Sequence, residues 1–173
     1  SVLKNAGYRT SIVGKWHLGL GEKNESIDWN GEIKPGPLEV GFDESFILPV
    51  TNDRVPTVYV KGHRVHNLSD ENEPLRVAYP KEGHHDYQEE HFGEAETDET
   101  DKVPQPLVGN LPSGYTHPDK LRYPADDQHS GTIVNGMSRI GYQAGGQSAW
   151  WDDEQIASTF YDHADTFIRE NKD

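Results

Sequence analysis

A lysine and a histidine, Lys15 and His17, lie two residues apart in the glycine-rich stretch GYRTSIVGKWHLGLG at residues 7–21. In an extended segment alternate side chains point to the same side, so Lys15 and His17 face one way while Trp16 packs on the other. A purely structural role, with one hydrogen bond from His17, is the alternative. An ammonium beside an imidazole otherwise suits a small oxyanion such as sulfate, phosphate or carboxylate, so the pair is a candidate anion site.

The elements around this pair have the pattern of an α/β unit. The apolar residues of SVLKNAG at 1–7 have helical spacing, and Gly7 lies where helices commonly end. The β-branched run TSIV at 10–13 predicts a buried strand that leads to Lys15. Ligands of α/β proteins usually bind beyond the carboxyl ends of strands, so we expect the pair at the ligand-binding edge of a sheet.

Three segments resemble the type I sulfatases, the formylglycine-dependent branch of the alkaline-phosphatase-like superfamily. AGYRTSIVGKWHLG resembles their second signature segment, GFDESFILPVTNDRVP the stretch that follows it, and DDEQIASTFYDHADTFIREN a helix before the next core strand. The similarity covers residues 1–21, 38–60 and 129–173. It implies an α/β fold, part of an alkaline-phosphatase-like sulfatase domain with a mixed central sheet flanked by helices. This chain is expected to supply one strand, a flanking helix and a long surface insertion.

The chain is predicted to be an internal part of a single sulfatase catalytic domain. Residues 1–60 would form the core helix, strand and active-site segment, 61–128 insertion-like loops, and 129–173 a cleft-bordering segment and a core helix. Residues 22–40 have loop composition, whereas PTVYVKGHRV at 56–65 alternates as a hairpin does.

The C-terminal stretch WDDEQIASTF begins a predicted helix. Asp152 is the predicted N-cap, with Gln155 as its reciprocal capping-box partner. His163 is predicted to be a boundary or surface residue without a catalytic role. The apolar side of the helix is predicted from residues at helical spacing, which are Ile156, Phe160, Ala164, Phe167 and Ile168.

Polar residues after the apolar run at 46–50 are candidates for substrate binding. The resemblance aligns Thr51 with a residue that reaches the sulfate pocket, and Asp53 beside Arg54 could grip sugar hydroxyls or a second anion. A turn with a local ion pair is the alternative. The predicted substrate-binding residues at this position are Thr51, Asn52, Asp53 and Arg54.

The glycine-punctuated segment that begins at His129 is expected to border the substrate cleft. His129, Asn135 and Arg139 are candidate glycan contacts in it. Trp150 could stack on a sugar face, whereas Trp151 is assigned to packing.

The net charge, the apolar runs and the cysteine content of the chain exclude several classes of binding partner and site. The chain of 173 residues is 32% hydrophobic and carries a formal net charge of −14, which argues against nucleic acid and anionic membranes as partners. No apolar run approaches the ~20 residues of a membrane span. The absence of cysteine excludes disulfides and thiolate metal sites within the chain. The acid-rich residues 86–101 lack a calcium-loop pattern and are predicted to be a solvated loop.

The resemblance implies hydrolysis of a sulfate ester, with a sulfated sugar as the preferred substrate and with Ca²⁺ and a formylglycine as cofactors. The formylglycine motif C/S-x-P-x-R is absent, so the nucleophile and metal ligands are expected outside this chain, which should be inactive without the rest of the sulfatase. Lys15 would hold a sulfate oxygen. His17 would hydrogen-bond the formylglycine hydroxyl and accept its proton when sulfate is expelled. The family also implies a periplasmic or secreted location.

Two alternatives stay open at this point. One is a phosphodiesterase or phosphonate-ester hydrolase of the same superfamily, which would share the architecture. The other is a noncatalytic glycan-binding derivative that keeps Lys15 and His17 as an anion cradle. A C/S-x-P-x-R motif elsewhere in the reading frame would exclude the second.

Overall fold

A mixed β-sheet is the centre of the computed structural model. The structure describes residues 2–23, 25–69, 73–78, 132–135 and 137–172. Within them the main sheet has the order β1-β2-β3-β4. Its strands are β1 (Ser11–Lys15), β2 (Glu44–Leu48), β3 (Val60–Lys61) and β4 (Arg64–Val65). β1 and β2 run parallel, whereas β3 and β4 extend the sheet in antiparallel fashion.

Smaller elements surround this sheet. Two further strand pairs are β5 (Arg76–Ala78) with β8 (Tyr142–Ala144) and β6 (Thr132–Val134) with β7 (Met137–Arg139). The helices are α1 (Val2–Asn5), α2 (Pro37–Val40) and α3 (Ile156–Glu170). None of the helices in the described part of the chain has both the length and the apolar character that crossing a bilayer requires.

The predicted mixed sheet and the hairpin at 56–65 are confirmed, but two details of the prediction are wrong. The chain supplies four strands to the described sheet rather than one, because the run at 44–48 pairs with β1 and the hairpin pairs with the other edge of that run. The stretch predicted as loop at 22–40 ends in the short helix α2. Pro37 begins that helix, and the Glu39 carboxylate accepts a hydrogen bond from Gly36 N at 2.7 Å, which stabilises its first turn.

Two apolar clusters cover the two faces of the sheet. Alternation along β2 sends Ile47 to one face and Phe46 and Leu48 to the other. The first cluster consists of Trp16, Ile33, Ile47, Val58, Val60, Val65, Leu75 and Ala149. The second consists of Phe46, Leu48, Tyr59 and Trp151, against which Ile156 and Phe160 of α3 pack. The sheet is therefore held between α3 and a loop-built layer that contains Trp16.

Helix α3 confirms its predicted position, whereas Asp152 caps the short 3-10 helix Asp153–Gln155 that leads into α3: its carboxylate accepts a hydrogen bond from Glu154 N at 2.9 Å. The other half of the predicted capping box is wrong, because the Gln155 side chain accepts from Ser158 Oγ instead. Ile168, predicted to be buried, is 63% exposed.

His163 is a boundary residue, as predicted. Its ring stacks on Phe46 with centroids 3.5 Å apart, and it meets the ring of His66 edge-on. Partial burial lowers the pKa of His163, and the Lys61 ammonium lowers it further. The side chain therefore stays neutral near pH 7 and serves packing between α3 and the sheet.

A carboxylate clasp joins the starts of β1 and β2, one residue before each strand. Asp43 Oδ1 pairs with Lys4 Nζ at 2.9 Å, while Asp43 Oδ2 accepts from the backbone N and the hydroxyl of Thr10, each at 2.9 Å. The Lys4 and Thr10 donors lower the pKa of Asp43 from 3.8 to about 2. The clasp therefore fixes the parallel register at the end of the strands opposite Lys15.

Substitution of Asp43 by Asn is expected to lower the Tm of the full-length protein at pH 7. Because the folded-state pKa lies below the unfolded one, the stabilisation is complete above pH ~4 and is lost as the pH falls toward 2. Thermal unfolding across this range should show the wild-type and Asp43→Asn curves converging at the acid end. Glu44→Gln, which breaks only an exposed pair with Arg9, is the control and should change Tm little. A Tm difference that is independent of pH would contradict the role of the Asp43 charge.

Candidate active site

The carboxyl ends of β1 and β2 form the candidate site. The strands are parallel and Lys15 pairs with Leu48, so the residues that follow each strand emerge side by side. Trp16 N donates to Leu48 O at 3.0 Å, which extends the pairing one residue beyond β1. As a result, residues 15–17, Gly19 and residues 49–54 line one open cavity of about 750 Å³.

Lys15 and His17 meet on this surface. Lys15 Nζ contacts His17 Nδ1, and both side chains are exposed. Trp16 is only 4% exposed in the first apolar cluster, and its indole N–H donates to Gly19 O at 2.5 Å. The predicted alternation is confirmed: the buried tryptophan anchors the segment while its neighbours face the cavity.

The contact assigns donor and acceptor roles to the two groups. An ammonium has donors only, so His17 Nδ1 is the acceptor and the neutral ring carries its proton on Nε2. An incoming oxyanion can then accept from the ammonium of Lys15 and from Nε2–H of His17. The arrangement can therefore bind an oxyanion through two donors.

Glycine is required next to the pair for its backbone conformation. Gly14 and Gly19 have φ of +135° and +88°, a region that other residues rarely adopt. A Cβ at either position would meet no described atom within 4 Å. Among the described residues, the turn geometry rather than the close approach of a neighbour accounts for these glycines.

The turn after β2 has the local ion pair that was the alternative interpretation of its sequence. Arg54 N donates to Thr51 O at 3.0 Å, which closes the turn, and Thr51 Oγ1 donates to Asp53 Oδ1 at 2.5 Å. Arg54 Nε lies 3.9 Å from Asp53 Oδ1, and both side chains are 48% exposed. Thr51, Asn52, Asp53 and Arg54 nevertheless line the same cavity as Lys15 and His17. Their substrate-binding role stays a prediction.

The three candidate glycan contacts in residues 129–139 differ in where the structure places them. His129 lies outside the described residues. Asn135 has φ of +50° in the turn between β6 and β7, and its amide donates to Trp151 O at 2.8 Å. Arg139 was predicted to contact glycan, and this prediction is wrong: the side chain is 2% exposed and pairs with Asp153.

The two adjacent tryptophans are both packing residues. Trp150 packs against the first apolar cluster, and its indole donates to Gly145 O at 3.0 Å. Trp150 is not among the residues that line the candidate site, so the idea that it stacks on a sugar is wrong for this cavity. Trp151 is 2% exposed, which confirms its predicted packing role.

The described residues do not fit a metal site. Among them, no group of three His, Cys, Asp or Glu side chains is placed to hold a metal ion. The calcium that the resemblance implies therefore has no ligand set in the described part of this chain, and we derive no step through it.

Comparisons with known proteins agree on one family, although no protein-family model matches the chain. N-acetylgalactosamine-6-O-sulfatase of Bacteroides thetaiotaomicron is 40% identical over 172 residues, which cover 99% of this chain and 28% of that protein. A solved Bacteroides sulfatase, described in connection with the metabolism of multiple glycosaminoglycans, matches with a TM-score of 0.70 and 38% identity, over 99% of this chain and 30% of its own. The chain belongs to the sulfatase family.

A second curated sulfatase matches over a shorter stretch. Steryl-sulfatase of Mus musculus is 40% identical over 53 residues, which are 31% of this chain and 8% of that protein. Sulfatases are sulfuric ester hydrolases. The chain spans less than a third of the length of each of these three relatives. Its sulfatase assignment therefore concerns the family and leaves the activity of the whole protein to be proposed.

The sequence did not predict the roles of two charged groups of this sulfatase chain, one remote from the site and one beside its turn. Asp43 fixes the register of β1 and β2 from their far end, and Arg139 pairs with Asp153 behind the turn. For Arg139 a signal was available, since it is a single charged residue in the segment GTIVNGMSRIGYQAGG. A charge with no charged neighbour in such a segment is a candidate for burial with a partner from elsewhere.

Proposed function

We propose that the protein containing this chain hydrolyses sulfate esters of carbohydrates, with an N-acetylhexosamine 6-sulfate as the first substrate to test. The observation that carries the proposal is the contact of Lys15 with His17 on an open surface at the carboxyl ends of two parallel strands. It is supported by the 40% identical relative, whose name gives N-acetylgalactosamine-6-O-sulfatase as its activity.

Lys15 binds a nonbridging oxygen of the sulfate. Its ammonium leaves Nδ1 of His17 and donates to the anion, a stronger interaction for a charged acceptor than for a neutral ring. As the ester bond breaks, charge shifts within the sulfuryl group. An interaction that strengthens with this shift lowers the barrier as well as aiding binding.

His17 moves a proton at the reacting oxygen. Once Lys15 has moved to the anion, the ring is free to hydrogen-bond the attacking group and to take up its proton when sulfate is expelled. An imidazole can both accept and donate a proton, so it is suited to both directions of transfer.

The turn after β2 contacts the rest of the substrate. Thr51 orients the sulfate: its residue lines the cavity, and its hydroxyl turns from Asp53, to which it donates in the free protein, and donates to a sulfate oxygen instead. Asn52, Asp53 and Arg54 hold sugar hydroxyls through directional hydrogen bonds. Such a polar rim suits a sugar better than an aryl group.

We place the remaining machinery in other parts of the protein. The resemblance implies a formylglycine nucleophile and Ca²⁺, and their residues are proposed to lie outside this chain. The chain alone is then inactive. A periplasmic or secreted location is part of the same proposal.

A panel of esters tests the proposed reaction in the full-length protein. We expect sulfate release from an N-acetylhexosamine 6-sulfate, with lower kcat/KM for an aryl sulfate and for a phosphate diester or phosphonate monoester of comparable size. The isolated 173-residue chain is the matched control and should release no sulfate. Faster turnover of the phosphorus esters would replace the proposal with a phosphodiesterase or phosphonate hydrolase. Tight binding of sulfated sugar without turnover of any ester would indicate a noncatalytic glycan-binding protein.

A further inference from the structure

The segment that follows β7 is hydrogen-bonded to the backbone at the end of the Thr51–Arg54 turn of the candidate site. Ile140 N donates to Asp53 O at 2.7 Å, and Val55 N donates to Ile140 O at 3.1 Å. These two bonds form an isolated parallel bridge between Arg54 and Ile140. The position of the turn in the cavity therefore depends on where the backbone of Ile140 is held.

The residue before Ile140 is a buried arginine in a defined environment. Arg139 is 2% exposed and its guanidinium pairs with Asp153, whose side chain is 9% exposed. The guanidinium carbon lies 5.9 Å from the centre of the Trp151 ring. Asp153 Oδ1 also accepts from the Trp151 indole N–H at 2.9 Å. Arg139 is thus fixed to the segment that leads into α3.

A buried ion pair of this kind adds little net stability but restricts geometry. The desolvation of the two charges offsets much of their attraction, so such a pair can often be replaced by neutral groups without loss of stability. Removal of one partner is costly because it leaves the other charge buried and unpaired. The planar guanidinium has directional requirements that a neutral side chain lacks. The pair is therefore well suited to position the backbone next to it.

We propose that Arg139 is a positioning residue for sulfate-ester binding: its ion pair with Asp153 sets the place of the Thr51–Arg54 turn opposite Lys15. The inference rests on the proposed function, because it assigns the turn to substrate. Arg139 itself touches no substrate and acts through Ile140 and the two backbone bonds to the turn.

The experiment compares variants of the full-length protein. Arg139→Met leaves Asp153 unpaired, whereas Arg139→Met/Asp153→Asn removes both charges and keeps an oxygen for the Trp151 indole. Arg139→Lys keeps the charge without the planar fork. Asp43→Asn is the matched control, since it breaks a carboxylate–cation contact at the far end of β1 and β2.

We expect the double variant to recover most of the Tm that Arg139→Met loses, while its KM for the sulfated sugar stays raised by roughly 10- to 100-fold, with a smaller change in kcat. Arg139→Lys should lie between wild type and the double variant in KM. Asp43→Asn should lower Tm with an unchanged KM. Amide hydrogen exchange in the peptide containing residues 53–56 should be faster in the double variant than in wild type and unchanged in Asp43→Asn.

A double variant that regains both the wild-type Tm and the wild-type KM would overturn the inference, because the pair would then serve stability alone. If the double variant does not recover its Tm, the Arg139→Lys variant becomes the deciding test. A KM and an exchange rate of Arg139→Lys equal to those of wild type would also overturn the inference.

Failure of the proposed function is a separate outcome, recognised when the wild-type protein releases no sulfate. In that case the exchange rate of residues 53–56 alone tests whether Arg139 positions the turn, and an unchanged rate rejects it.

Discussion

Substitution of Lys15 by Ala in the full-length protein is expected to lower kcat/KM for a sulfate ester by about 10²- to 10³-fold, or about 3–4 kcal/mol of transition-state stabilisation. The ammonium contacts only His17 Nδ1 in the described structure and faces the open cavity. It is therefore available to a sulfate oxygen in both the ground state and the transition state. Loss of an interaction that strengthens along the reaction should raise KM and lower kcat together.

Steady-state kinetics of sulfate release measure this effect. Lys23→Ala is the control, since Lys23 is an exposed lysine that does not line the candidate site. It should leave both constants near their wild-type values. A Lys15→Ala enzyme with raised KM and normal kcat would show that Lys15 contributes uniform binding only, and an unchanged kcat/KM would remove it from the site.

Substitution of His17 by Ala is expected to separate two halves of the reaction. If His17 accepts the proton when sulfate is expelled, release of the sugar alcohol should survive better than complete turnover. Pre-steady-state measurements should then show a burst of the desulfated sugar followed by slow steady-state release. We expect the steady-state rate to fall by about 10²- to 10⁴-fold, the range of general acid–base catalysis.

The kinetic control for His17 is His63→Ala. His63 pairs with Glu39 at 2.7 Å away from the cavity, so its loss should leave both phases unchanged. A His17→Ala enzyme with near-normal turnover would exclude any catalytic role. Complete loss of the burst would instead assign His17 to the step in which the alcohol is released.

The sequence predicted the local geometry of the candidate site because that geometry depends on neighbours in the chain. Alternation along a strand is enough to send Trp16 inward and Lys15 and His17 outward. Gly7 ended α1 as predicted, with φ of +86° and a hydrogen bond from Tyr8 N to Leu3 O. These features follow from periods of two and 3.6 residues and from the conformational freedom of glycine.

Features that depend on distant parts of the chain could not be predicted in this way. The partner of Arg139 lies 14 residues away, and only the fold decides whether that arginine faces a cleft or a core. The same limit applies to Thr57, whose backbone N donates to the buried Gln143 side chain 86 residues further on. The number of strands in the main sheet was also underestimated, because alternation predicts the hairpin of β3 and β4 but not the sheet that the hairpin joins.

The most direct test of Lys15 and His17 as the sulfate site is a crystal structure of the full-length protein with an uncleavable substrate analogue. A sulfated sugar in which a methylene group replaces the ester oxygen would serve, since it keeps the sulfonate oxygens and cannot be hydrolysed. We predict a sulfonate oxygen within hydrogen-bonding distance of Lys15 Nζ, with His17 facing the reacting end and the contact between the two side chains opened. An analogue bound elsewhere, with Lys15 still on Nδ1 of His17, would contradict the assignment.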